Sequence, residues 1–253
     1  MYDNVCYKKP FLKEVIFKID FPTPVAKVEK GLSPKVTKNI LSKFPIFEPQ
    51  KAHAQEFQFS GKNFQAKSSE IMQWIYHGKS REKSFIVTPD AITYVNRSYI
   101  TFEALKDDIK SILDSFFADY KEIASSRAGL RYVNILDVKE DDPLAWDKYI
   151  NKDILGVIDF HEEKQYLTRA FHILEYNFNG LAIKYQFGIA NPDFPATIRK
   201  KQFVLDIDAY SHGAFELHDI IQFIDDAHAK IQEIFEKSIT EQTRELMVPE
   251  NVE

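Results

Sequence analysis

The stretch His172-Ile-Leu-Glu-Tyr-Asn-Phe-Asn-Gly-Leu-Ala-Ile-Lys-Tyr-Gln-Phe-Gly-Ile-Ala190 decides how the rest of the chain is read. Asn179-Gly180 is the dipeptide that a two-residue hairpin turn prefers, because both positions need positive φ. The flanking runs, His172–Phe178 and Leu181–Ala190, therefore read as two antiparallel strands. Working outward, a second copy of the pattern lies 119 residues earlier: His53, Glu56, Phe57, Phe59 and Gly61 match His172, Glu175, Tyr176, Phe178 and Gly180. Thr101-Phe102-Glu103 matches Ala214-Phe215-Glu216 at an offset of 113, and the six-residue difference falls where loops vary easily. The fold expected is α+β, with two pseudo-repeated halves, each a mostly antiparallel sheet packed by one long helix. Residues 1–139 form the first half and 140–253 the second, packed together as one unit.

The other segments fit this plan. Val15, Phe17, Ile19 and Phe21 alternate with Lys18 and Asp20, the signature of an amphipathic strand. Ser33-Pro34 opens a short helix to about Phe44, and Pro45 and Pro49 close that segment. Strands are expected at Glu56–Phe59, Asn63–Tyr76, Ser84–Val95, Ala128–Val138 and Lys200–Tyr210, and a short helix at Leu144–Leu155. Thr101 caps a long helix striped by Leu105, Ile109, Ile112, Leu113 and Phe116. A second long helix carries Ile220, Ile224, Ala227, Ile231, Ile234 and Phe235 on its buried side. Two sheets joined edge to edge would make a saddle with both helices on one side, leaving a concave face for a partner or ligand.

Composition narrows the function classes. The 253 residues include 21 Phe and 12 Tyr but only eight Gly and one Cys, with a net charge of −5. A mildly acidic chain has no general attraction for phosphate backbones, so nucleic-acid binding is disfavoured. The densest basic cluster, Arg199-Lys200-Lys201, reads as a solvated loop. One cysteine, Cys6, excludes an intramolecular disulfide framework and any cysteine metal knuckle. Nothing near Met1 resembles a signal peptide and no apolar run is long enough to span a bilayer. The localisation expected is cytoplasmic.

Catalytic signatures for zinc helices, nucleophile elbows and phosphate loops are absent, which points away from an enzyme and implies no cofactor. Weaker constellations remain. In Arg127-Ala-Gly-Leu-Arg-Tyr-Val-Asn134, a strand puts Arg127, Gly129 and Arg131 on one face, the glycine opening space between two guanidinium groups. Arg127, Arg131 and Asn134 are thus candidates to grip an anion such as a nucleotide; alternatively, the arginines pair with nearby carboxylates. Asp206 and Asp208 share a strand face and would serve a metal-dependent nuclease or phosphotransfer enzyme, or else a salt-bridged surface. His53, His172, His161 and His212 fit no metal-site spacing. The segment after Ile239 either extends the last helix, with an apolar tip at Leu246, Met247 and Val248, or frays. Trp74, Tyr76 and Tyr94 are expected as exposed aromatic contacts for a protein partner, with a homodimer as the expected assembly.

Together, Lys9-Pro-Phe-Leu-Lys-Glu-Val15, Arg127–Asn134, Val204-Leu-Asp-Ile-Asp208 and the helix Phe215–Ile239 resemble, in this order, a family of sporadically distributed prokaryotic proteins of similar length. The resemblance spans about residues 8 to 247 and is most specific in the Arg-x-Gly-Leu-Arg-Tyr-x-Asn segment. It brings no catalytic residues. What it implies is an accessory role in antiviral defence or a toxin–antitoxin system; the absent catalytic signatures, the surplus aromatics and the duplicated sheet point to a non-enzymatic protein acting through a protein partner.

Overall fold

The computed structural model describes residues 5–60, 63–121 and 123–251, apart from the side chains at 53–69 and 251. In chain order the strands are β1 (Val5–Tyr7), β2 (Leu12–Asp20), β3 (Ile46–Ser60), β4 (Asn63–His77), β5 (Lys83–Val87), β6 (Ala91–Asn96), β7 (Ser125–Asp137), β8 (Ala170–Phe178), β9 (Leu181–Ile189), β10 (Gln202–Phe215) and β11 (Pro249–Asn251). The helices are α1 (Pro34–Lys43), α2 (Phe102–Asp119), α3 (Lys152–Leu155), α4 (Leu217–Ser238) and α5 (Glu241–Met247). The fold is mixed α+β and mainly sheet.

Nine strands form one antiparallel sheet in the order β3-β4-β5-β6-β2-β7-β10-β9-β8, and β1 pairs with β11 in a separate ribbon. The sheet does not break between the two halves of the chain. β2 and β7 pair at its centre, Phe17 opposite Leu130 and Ile19 opposite Ala128. Alternation sends Val15, Phe17 and Ile19 of β2, Ala128, Leu130 and Leu136 of β7, and Phe203, Leu205 and Ile207 of β10 to one buried face. The helices cover that face. Ser33 Oγ accepts from Val36 N at the start of α1, Thr101 Oγ1 accepts from Ala104 N at the start of α2, and Glu216 and Asp219 form a reciprocal capping box on α4. Lys106 of α2 and Asp225 of α4 form an ion pair at 2.6 Å.

Several expected boundaries need correction. Ser84–Val95, which carries the turn signal Pro89-Asp90, divides into the β5–β6 hairpin, turning at Thr88-Pro89-Asp90, where Thr88 Oγ1 accepts from Ala91 N. Pro49 does not close a segment; it lies inside β3, an edge strand where a missing N–H costs no ladder bond. The Leu144–Leu155 helix shrinks to the single turn of α3, because Leu144–Tyr149 wraps around a buried lysine. That lysine is Lys201, with a side chain 1% exposed, so it is no solvated loop residue. Its ammonium donates to Glu140 Oε2 at 2.8 Å and to the carbonyls of Asp142 and Ala145, and it faces the rings of Trp146 and Tyr149. All three N–H groups are satisfied, which is what permits the burial. The tail after Ile239 breaks from α4 and turns into α5; Met247 is buried while Leu246 stays exposed.

Tyr76 and Tyr94 are 2% and 0% exposed, so they are core residues and not partner contacts. Strand parity explains the reversal. Tyr76 pairs with Phe85, Phe85 with Tyr94, and Tyr94 with Phe17, so the whole row points toward the helices. The Tyr94 hydroxyl donates to Asp108 Oδ2 on α2 at 3.0 Å. Trp74 lies in the same layer, half-buried, and its Nε1 donates to the Val28 carbonyl at 2.6 Å.

Candidate functional site

Period-two alternation on β7 separates the three residues expected to share an anion site. Arg127 and Arg131 stand on the uncovered face of the sheet, whereas Asn134 faces the helices and is 5% exposed. On the uncovered face, Arg131 grips Asp206 of β10 with both prongs, Nε to Oδ1 at 2.7 Å and Nη2 to Oδ2 at 2.5 Å. Asp206 is 6% exposed. Arg127 reaches Asp20 of β2 at 3.5 Å and Asp208 of β10 at 4.0 Å, and its guanidinium lies over the Tyr210 ring. Gly129 does make room, but for the Arg127 side chain: a Cβ there would come within 3.0 Å of Nη1. Burial raises the Asp208 carboxyl above its ordinary range despite the neighbouring arginines. The cluster is a charge-paired seam tying β2, β7 and β10, with both guanidinium forks engaged by carboxylates of the chain itself. Among the described residues no group of three His, Cys, Asp or Glu side chains is placed to hold a metal ion.

The helix side holds a cavity of about 340 Å³, closed on different sides by the β1 ribbon, the loop before α2, the α4 helix and the end of α5. Its walls are largely apolar, with Val5, Leu12, Ile100, Phe102, Ile231, Phe235 and Met247 among them. β7 contributes Tyr132 and Asn134 to its floor, and α4 contributes His228, Ala229 and Gln232. The backbone of Lys8 and Lys9 donates to the carbonyls of Val248 and Met247, so the segments after β1 and after α5 are strapped together.

The polar groups of this cavity form two sets. In the first, the Tyr132 hydroxyl meets His228 Nδ1 at 3.0 Å, Tyr99 packs edge-on against Tyr132, and the His228 ring stacks on Phe102 with centroids 3.8 Å apart. Burial holds His228 down to about 4 and pushes the Tyr132 phenol up, so imidazole and phenol are both neutral at pH 7. Nε2 of His228 makes no hydrogen bond among the described residues. In the second, the Tyr7 hydroxyl donates to Glu236 Oε1 at 2.6 Å, while Arg244 Nε donates to Oε2 of the same buried carboxylate at 2.8 Å. Glu103 is exposed at the mouth, and Cys6 lies in the wall with its thiol pushed up by burial. Among the described residues no lysine or arginine lines the cavity.

Of the expected site residues only Asn134 reaches this cavity. Tyr132, inside the same motif, was legible only as a strand residue. His228 carries a recoverable signal: it sits beside Ala227 and four residues after Ile224, at the margin of the buried stripe of α4, where an imidazole is out of place unless it is bonded. Of the other histidines, His172 packs on Phe187, and His161 accepts from Glu163 N. His212 packs edge-on against Tyr210, and the His53 side chain lies outside the described residues. No family model and no curated protein matches this sequence.

Proposed function

We propose that this chain is a non-enzymatic binding module whose cavity takes a small, mainly apolar molecule that is neutral or cationic. The observation that carries this reading is the neutral Tyr132–His228 pair at the floor of a 340 Å³ apolar cavity. Ligand sites commonly occupy about 300–1,000 Å³, with apolar walls and a few convergent polar groups. Glu103 at the mouth, and a lining without lysine or arginine, disfavour an anion. A nucleotide at Arg127 and Arg131 would have to displace Asp206 from a bidentate pair, which weighs against that alternative.

Thermal-shift screening of neutral and cationic aromatic fragments against a panel of nucleotides tests the reading. A ligand at a hundredfold excess over its dissociation constant stabilises by about 2.7 kcal/mol. Fragments should raise Tm, and Ala229→Phe, a change at an exposed wall position, should abolish the shift without altering the ligand-free Tm. Stabilisation by nucleotides that disappears in Arg131→Ala would overturn it.

The duplicated plan belongs to the same proposal. A strand–helix–meander–helix unit is supported by β2 to α2 and again by β7 to α4, with β2 and β7 antiparallel at the centre and the two matching hairpins at opposite edges. In an accessory role in defence or a toxin–antitoxin system, as the family resemblance implies, occupancy of this cavity would be coupled to a surface that meets a protein partner.

A further inference from the structure

We propose that two copies of this chain pair along β8, edge to edge, into one continuous sheet. β8 ends the nine-stranded sheet, and among the described residues no strand covers its outer side. Asn179 and Gly180 have φ of 53° and 100°, so the β8–β9 turn is the two-residue type closed by the pair Phe178–Leu181. Alternation then directs the backbone groups of residues 172, 174, 176 and 178 toward β9. Those of Phe171, Ile173, Glu175 and Asn177 point outward, free to pair.

This edge lacks the devices that keep strands apart. It contains no proline, lysine or arginine, and one acidic residue, Glu175. The opposite edge, β3, carries Pro49, a Glu48–Arg81 ion pair and a Lys51–Glu70 ion pair. Phe171, Ile173, Leu174, Tyr176 and Phe178 of β8 are 36–53% exposed. At a typical ~200 Å² for a large side chain, they leave on the order of 400 Å² of apolar surface along this edge, Phe171 and Ile173 on one face of the sheet and Leu174, Tyr176 and Phe178 on the other. A standard interface buries about 800 Å² per partner, so the side chains of this strand supply at most about half of that area.

Self-complementarity selects a second copy as the occupant. With a twofold axis through Leu174, Ile173 faces Glu175 of the second copy, Phe171 faces Asn177, and the two Leu174 side chains meet. No like charges oppose; an axis through Glu175 would set two carboxylates together. The same register places His172 opposite Tyr176 of the second copy. His172 Nε2 is buried with no hydrogen-bond partner among the described residues, and a tyrosine hydroxyl on that face would supply one.

Light scattering of the purified full chain at tens of micromolar should give twice the chain mass. Leu174→Lys sets two cations on the axis and should yield a monomer with unchanged circular dichroism. Ile173→Lys should stay dimeric, since the new cation lands beside Glu175 of the second copy. In a Cys6→Ser background, Leu174→Cys should cross-link between copies on mild oxidation, which tests the register independently of whether the lysine variant folds. A monomeric wild type, a dimer that survives Leu174→Lys, or no cross-link at residue 174 would each overturn the proposal. So would a monomer that binds only a foreign strand at β8.

Discussion

His228 shows how one side chain can make stability depend on pH. Its imidazole is held down to about 4 chiefly by burial, with Glu103 and Asp225 acting weakly in the opposite direction. An unfolded histidine titrates near 6.5, so between these values the unfolded chain binds the extra proton, and stability must fall as pH drops. Above pH 6.5 the term vanishes. On acidification to pH 4 it reaches on the order of 2–3 kcal/mol. Urea titrations of wild type and His228→Gln between pH 7 and pH 4 are expected to diverge, with the variant losing less stability; parallel curves would show that the imidazole is solvated. Arg131 and Lys201 illustrate the same lesson at other positions. In sequence Arg131 looks like a cation available to a ligand and Lys201 like a solvated one, and each is consumed by a carboxylate of the fold.

At the scale of elements, local signals performed well where they were strong. Ser33-Pro34, Thr101 and the Asn179-Gly180 turn all lie where their chemistry requires. Removing the Thr101 side chain exposes the cost of losing one cap: Thr101→Ala is expected to destabilise by about 1 kcal/mol. For a chain of this size that is roughly 2–4 °C in Tm, measurable by calorimetry. α2 helps wall the cavity through Phe102, so the same variant should also weaken ligand binding if fraying propagates into the first turn. Weaker signals failed for identifiable reasons. Pro49 reads as a terminator because a proline looks the same on an edge strand and after a strand. Leu144–Leu155 has helical spacing, yet its residues are recruited to enclose the Lys201 ammonium, a tertiary demand stronger than local propensity.

Considered whole, the molecule has one core, because the sheet passes without interruption from one half to the other through β2 and β7. Its two tryptophans report on the two halves: Trp74 packs in the first and Trp146 in the second. Urea unfolding is expected to give one transition, coincident by tryptophan fluorescence and far-ultraviolet circular dichroism. Two separated transitions would mean that the halves fold independently. Among the described residues no helix is long and apolar enough to cross a membrane.

What the amino-acid order determined by itself was local: alternation along β2, the stripes on α2 and α4, the caps, and the hairpin turn. These depend on neighbours within a few residues, so they are written in consecutive positions. It also held the grouping of Arg127, Gly129 and Arg131 on one face, since strand parity is a local property. Only the tertiary structure decided which face met the helices, and therefore that Tyr76 and Tyr94 are core, that Asn134 leaves the arginines, and that Asp206 occupies Arg131. The cavity was least legible of all. Its walls come from residues near 5, 100, 132, 230 and 247, and no spacing along the chain records a meeting of segments so far apart. Non-local contacts are set by how whole elements pack, and that information is spread over the entire sequence.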